Sequence, residues 1–211
     1  MLSDDKDRLE NLIFFKQLSS SELSALTDLD LIVVWINLYN AVMQLQQKNN
    51  LAKKIDKRIF SLPIFEIAEQ VLSLDIIEHG ILRGNKAKRG LGFLPGSFLN
   101  SITESWACKK LEPRIHFLLN CGAESCPMIR VLTLDTIEIE LVESEKDFIL
   151  AETTVNHEKR IFTISSLFLF YWFDFGGKKN IKSRIHQYHN YPTYKIRFKK
   201  WNWESHFKKV K

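Results

Sequence analysis

The sequence predicts an α+β protein: a helix-rich single domain packed on a small antiparallel or mixed sheet. Three observations carry this. Apolar stretches of helical length, with capping residues in front of them, dominate the N-terminal half. The stretches that read as strands are short, and two of them toward the C-terminus form a hairpin pattern. Predicted helices outnumber predicted strands, which places the chain in the α+β class.

The elements follow in order. Ser19 and Glu22 have the spacing of a capping box. Asp30 stands before "LIVVWINLYNAVMQLQQ", a long helix that is apolar on most sides and is therefore expected to be buried. Its exceptions, Asn37, Asn40, Gln44 and Gln47, fall on one stripe. Buried amides must bond something or face a cavity. Bonding to loops is the favoured use, and lining a site is the alternative for Asn40. Ser61 and Pro63 suggest a helix over "LPIFEIAEQVL". Asp75 opens a short helix, "IIEHGILRGN", with Gly84 at its left-handed end. The loop "KAKRGLGFLPGS" is basic and glycine-rich without the spacing of a phosphate loop.

"RIHFLLN", Arg114–Asn120, is mostly apolar and suits a central strand, after which "CGAES" turns. Cys126-Pro127 is placed to begin a helix, since proline is favoured in the first turn. A helical segment runs from Asp135 to about Ala151. "ETTV", "NHEK" and "RIFTIS" form the hairpin. Ser165 caps "SLFLFYWFDF", which Gly176 and Gly177 end. A basic helix, "NIKSRIHQY", and the alternating strand "YKIRFKKWNW" close the chain.

The length of 211 residues fits one domain spanning 1–211, with a helical lead-in over 1–29, a core over 30–205 and a basic tail over 206–211. Fifteen Phe and five Trp must pack inside or line a cleft. The net charge is +5, and the stretch from Lys178 to Lys211, with eleven Lys or Arg and one acid, carries +10 against −5 for the remainder. There Tyr188, Tyr191, Tyr194, Phe198, Trp201 and Trp203 interleave with lysines. Stacking aromatics in a basic groove hold single-stranded nucleic acid, but the "KIRFKKW" alternation predicts aromatics inward and lysines outward, so nucleic acid is not the expected partner. No apolar run reaches the ~20 residues of a membrane span. The acidic N-terminus has no apolar signal core, so the expected location is the cytoplasm; a leader removed beforehand would leave an exported origin open.

The chemistry centres on Cys126. A thiol attacks only when ionised, and a helix N-terminus lowers its pKa. Arg130, one turn on, would add positive field and could bind substrate. A cysteine hydrolase also needs an imidazole and a group to orient it. His116 and His79 are the candidate bases, because His157 sits at a hairpin tip and His186, His189 and His206 in the basic end. Asn40, Asn120 and Glu124 are the candidate orienting groups. The competing reading makes Cys126 an inert buried thiol. Cys121 is a candidate redox partner through the C-x4-C spacing. A zinc site built on His116, Cys121 and Cys126 would lack the paired knuckles that such sites use, so no metal and no other cofactor is expected. Cys108 reads as packing. His79 and Arg83, four apart, could bind a substrate carboxylate or orient the thiol; Arg83 could equally hold Glu78 or a loop carbonyl.

Four segments occur in a familiar order: "WINLYNA", "IEHGILR", "EPRIHFLLNCGAESCPMI" and "ISSLFLFYWFDF". Together they resemble the family called domain of unknown function 547, over roughly Asp30 to Glu204. The chain departs from the family where Glu112 replaces a frequent Asp, where Met128 replaces a second Pro, and where the helix after Ser165 lacks an early lysine. The resemblance implies a fold and a His/Cys pattern like that of a thiol hydrolase, with histidine ahead of cysteine. Papain-like and transglutaminase-like enzymes place cysteine first, so kinship with them implies a permuted arrangement. The function expected is a cysteine-dependent hydrolase or acyl transferase acting on a small-molecule or peptide substrate. The alternatives are a protein-interaction module and a redox or metal module at Cys121 and Cys126.

Overall fold

A computed structural model describes residues 17–49, 55–191 and 193–206. Residues 1–16 of the lead-in and 207–211 of the tail lie outside it. Helix α1, Ser20–Ser24, starts on the predicted capping box: Ser19 Oγ accepts from Glu22 N at 3.2 Å, and Glu22 Oε2 accepts from Ser19 N at 2.8 Å. Helix α2 spans Asp28–Asn49. Asp30 is not its N-cap but the inner half of a second reciprocal pair: it accepts from Thr27 N at 2.9 Å while Thr27 Oγ1 accepts from Asp30 N at 3.3 Å. The helix is the spine of the larger core. Trp35, Ile36, Leu38, Tyr39 and Met43 are almost fully buried among Leu74, Ile77, Ile81, Trp106 and Leu118.

The amide stripe of α2 holds loops. Asn37 exchanges two bonds with the backbone of Leu132, at 2.8 and 3.0 Å. Asn40 donates to Leu118 O at 2.9 Å and accepts from Asn120 N at 2.8 Å. Gln47 donates to Gly122 O at 2.7 Å. One helix face therefore stitches down the segment from 118 to 132.

Three expected elements differ. Residues 62–72 form an antiparallel hairpin, β1 Phe65–Ile67 and β2 Gln70–Leu72, instead of a helix. Ala68 and Glu69 make its turn at φ 47° and 60°. The stretch 114–120 is no strand: Pro113–Phe117 is a 3₁₀ helix capped by Glu112, whose carboxylate accepts from Arg114 N. Finally, no helix begins at Cys126-Pro127. A turn leads into this segment, closed by Cys126 N donating to Ala123 O at 3.0 Å; Asn120 Nδ2 donates to Pro127 O at 2.7 Å, and residues 122–125 pair with 202–206, with Glu124 N donating to Glu204 O at 2.9 Å and His206 N to Gly122 O at 2.9 Å.

The rest follows the reading except in the length of one helix. Helix α3, Ile137–Glu152, leads into a mixed three-stranded sheet: β3 Thr154–Asn156 antiparallel to β4 Ile161–Ser165, and β4 parallel to β5 Lys195–Lys199. Between β4 and β5 lie a single-turn helix, α4 Leu167–Phe170, and the basic helix α5 Gly177–Tyr188. The helix expected from Ser165 to Gly176 is shorter than the sequence suggests: its N-cap is Ser166, it ends at Phe170 and turns carry the chain to Gly176, while Ser165, the last residue of β4, accepts from Leu167 N through Oγ at 3.2 Å. A second core gathers Phe117, Phe148, Phe162, Phe168, Phe175 and Ile185, with Tyr188, Tyr194, Phe198 and Trp201 against it. The protein is α+β, and none of its described helices is long and apolar enough to cross a membrane.

Candidate functional site

Residues Ile76–Leu82 wind as a π-helix, sealed by Arg83 N donating to Glu78 O at 3.1 Å, five residues back. This winding is rare and often marks functional sites. It has more residues per turn than an α-helix, so residues four apart lie nearly one above another. Asp75, His79 and Arg83 form such a column: Arg83 Nη1 lies 2.8 Å from His79 Nδ1, and His79 Nε2 lies 3.7 Å from Asp75 Oδ1. A guanidinium has no lone pair to offer. His79 Nδ1 is therefore the acceptor, and the ring's proton sits on Nε2.

Arg83 also reaches the second core. Its Nε and Nη2 donate to Asp174 at 2.6 and 3.2 Å, a two-point grip on a carboxylate with no exposed surface. Lys86 Nζ adds a bond at 3.2 Å, and His116 Nε2 one at 2.9 Å. Burial opposes ionisation of Asp174, but the bonds from His116 and Arg83 outweigh it and hold the carboxyl well below its ordinary range. An ionised carboxylate only accepts, so His116 Nε2 carries the ring proton and Nδ1 is left as the basic nitrogen. Burial pushes the His116 and His79 imidazoles below their usual values, which keeps both neutral near pH 7. His116 stacks on Tyr171, centroid to centroid 3.7 Å.

Glu78 closes the cluster. Its two carboxylate oxygens accept from the hydroxyls of Tyr39, at 3.2 Å, and Tyr171. Burial and the Glu78 charge push both phenols well above their ordinary range.

The Cys121 and Cys126 sulfurs are 2.6 Å apart, and Cys121 N donates to Cys126 Sγ at 3.1 Å. The bond to Cys126, together with burial, pushes the Cys121 thiol well above its usual range. Either sulfur can be the donor of the pair. Cys126 is buried, whereas Cys121 is partly exposed. The positive end of a helix, which the sequence suggested as the source of an activated thiol, is absent at this place.

His79, Arg83 and His116 thus come together, and Cys121 and Cys126 contact each other. The other candidates do other work. Asn40 and Asn120 bond backbone, the latter accepting from Gly122 N at 2.8 Å. Glu124 pairs with His206 at 2.5 Å on the surface. Arg130 turns to α3, pairing with Glu140 and Asp147, each at 2.5 Å. Cys108 is buried, and burial pushes its thiol up to about 12. Among the described residues no group of three or more His, Cys, Asp and Glu is arranged to hold a metal.

Sequence reasoning missed Asp174, Glu78, Tyr39 and Tyr171 as site residues. A signal existed for Asp174: it is the one acid in "SLFLFYWFDF", and a charge amid buried aromatics must find a partner.

No curated protein and no solved structure matches the chain. The family described as "Protein of unknown function, DUF547" matches residues 23–149. The matched stretch carries the π-helix, His116 and both clustered cysteines; Tyr171 and Asp174 lie beyond it. With more than half of its length matched, and with the His-Phe, Asn-Cys-Gly-Ala and Ser-Cys-Pro motifs in place, the chain belongs to the domain of unknown function 547 family.

Proposed function

We propose that the chain is a cysteine-dependent hydrolase or acyl transferase, with Cys126 as nucleophile, His116 as base and Asp174 as the group that orients the base. The observations that support this are the His116–Asp174 pair held by Arg83 and the mutual contact of Cys121 and Cys126, five and ten residues beyond His116 in the chain. In the reaction, His116 Nδ1 takes the Cys126 proton. The sulfur attacks a carbonyl carbon of a small-molecule or peptide substrate, and the leaving group departs with the proton from His116. Water, or a second acceptor, then cleaves the thioester with the same imidazole as base. The two candidate bases separate on geometry: His79 already spends Nδ1 on Arg83, whereas His116 keeps Nδ1 for chemistry. His79 is thereby a positioning residue for Arg83, and through it for Asp174.

The test is alkylation by iodoacetamide near neutral pH, followed site by site in the peptide mass spectrum. Cys108, buried and with a raised pKa, is the internal reference. Cys126 is expected to react at least about tenfold faster than Cys108, since rate follows thiolate fraction and access. His116→Gln is expected to bring Cys126 down toward the reference, and Asp174→Asn to weaken it in the same direction. Equal, slow labelling of all three cysteines would overturn the reading.

The sulfur–sulfur contact favours a second reading, a redox pair. Here Cys121 and Cys126 lose two protons and two electrons to an oxidant such as a peroxide and close a disulfide. Intact mass after mild peroxide treatment checks it: a species lighter by two hydrogens that disappears in Cys121→Ser supports the pair, and an unchanged mass removes it.

A further inference from the structure

The loop after the π-helix presents apolar side chains to solvent on a fixed frame. Phe93 is 70% exposed, Leu94 50% and Leu91 42%. Their position is enforced by the backbone. Ala87 N donates to Leu94 O at 2.9 Å, Phe93 N to Gly90 O at 2.9 Å and Gly96 N to Asn85 O at 2.6 Å. Gly90, Leu91 and Gly92 take φ of 91°, 58° and 87° in succession. A leucine in this region is disfavoured, so the loop holds a strained residue in order to keep this tip.

The tip is anchored from below. A Cβ on Gly92 would stand 2.4 Å from Asp174 Oδ1, and Phe173 N donates to Leu91 O at 2.9 Å. Phe93 and Phe173 rings lie 5.2 Å apart, and Phe173 is itself 47% exposed. Phe170 extends the surface toward Trp201, centroids 5.8 Å apart. Exposed aromatic pairs of this kind mark interaction sites.

Its charge selects the partner. From 86 to 103 the chain has Lys86, Lys88 and Arg89 and no acid, and from 195 to 203 it has Lys195, Arg197, Lys199 and Lys200 and no acid. Lys86, Lys88 and Lys199 are paired with Asp174, Asp75 and Glu152. A second copy meeting this face through a two-fold axis would bring like charges together. A bilayer with anionic headgroups offers the opposite sign at its surface and hydrocarbon just beneath, matching Arg89 beside the aromatic tip.

We propose that the 90–94 loop, with Phe170 and Phe173, is a docking surface for an anionic membrane, with Phe93 as the inserted side chain and Arg89 at the headgroups. This stands independently of the thiol chemistry, because it rests on surface residues alone.

The test is co-sedimentation of the full chain with vesicles of phosphatidylcholine, alone or mixed with phosphatidylserine. The mixed vesicles are expected to carry the chain down and the neutral ones to leave most of it in solution. Phe93→Ser is expected to lower the partition coefficient about tenfold, from the apolar surface no longer buried. Arg89→Glu and high salt are expected to lower it as well. Circular dichroism of each variant checks that the exposed substitutions leave the fold intact, and blue-shifted emission of Phe93→Trp on mixed vesicles reports insertion directly. Failure to bind mixed vesicles, equal binding by Phe93→Ser, or a dimer in sedimentation velocity that Phe93→Ser dissolves would overturn the proposal.

Discussion

Asp174 has no exposed side-chain surface, and four donor bonds, two of them from Arg83, converge on it. Removing one member of such a pair leaves the other charge buried without compensation, which typically costs about 3–5 kcal/mol. Asp174→Ala is therefore expected to lose about that much in urea unfolding. Asp174→Leu combined with Arg83→Met is expected to recover part of the loss, because Arg83 is no longer left charged and buried, while Lys86 and His116 still lack their acceptor. A loss below about 1 kcal/mol in the single variant would mean that water compensates Arg83. At this scale the sequence was half legible. The four-residue interval between His79 and Arg83 announced a shared face, and Asp174 announced that it needed a partner. The identity of that partner could not be read, because Arg83 lies 91 positions away and only the tertiary fold brings the two together.

At the scale of elements, what was legible depended on whether local chemistry decided the structure. Helix α2 and its amide stripe were readable because apolar period and polar exceptions both reside in one segment. The Cys turn was not, since its conformation follows from Asn40, Asn120 and the 202–206 segment. The β1–β2 hairpin is a third case. Its turn residues, Ala68 and Glu69, both hold positive φ, the conformation that Asn-Gly supplies in two-residue hairpins, so the usual signal was missing. Two side chains held in that region are each disfavoured. Replacing the pair with Asn-Gly is expected to stabilise the protein by about 1 kcal/mol, seen as a higher thermal midpoint. No change, or a loss, would show that the turn is relaxed as it stands.

Across the whole molecule, the polar cluster joins the two cores. Ile115 and Leu118 pack in the first, Phe117 and Phe175 in the second, and His116 and Asp174 lie between them. Stability of the fold should consequently follow the protonation of this seam. His116 faces Asp174, Arg83, Glu78 and Tyr171; His79 faces Arg83, Glu78, Asp75 and Lys88. Burial lowers both imidazoles, so below about pH 6.5 the unfolded chain takes up protons that the folded chain refuses. The unfolded state then binds more protons, and stability rises with pH and falls as pH drops. The carboxylates act elsewhere: Asp174 and Glu78 are held low, their contribution is complete above about pH 4, and it is lost only as pH falls through their folded values. Between about pH 8 and about pH 5 the decline belongs to the histidines, at up to about 1.4 kcal/mol per pH unit for each. Urea midpoints across that range are expected to fall toward acid, and His79→Gln and His116→Gln each to remove part of the slope. A flat profile in the unaltered protein would mean that both imidazoles titrate alike in the folded and the unfolded chain. Stability that instead falls as pH rises through this range would mark His116 as an imidazolium on Asp174, with no lone pair at Nδ1, unable to serve as the base for Cys126.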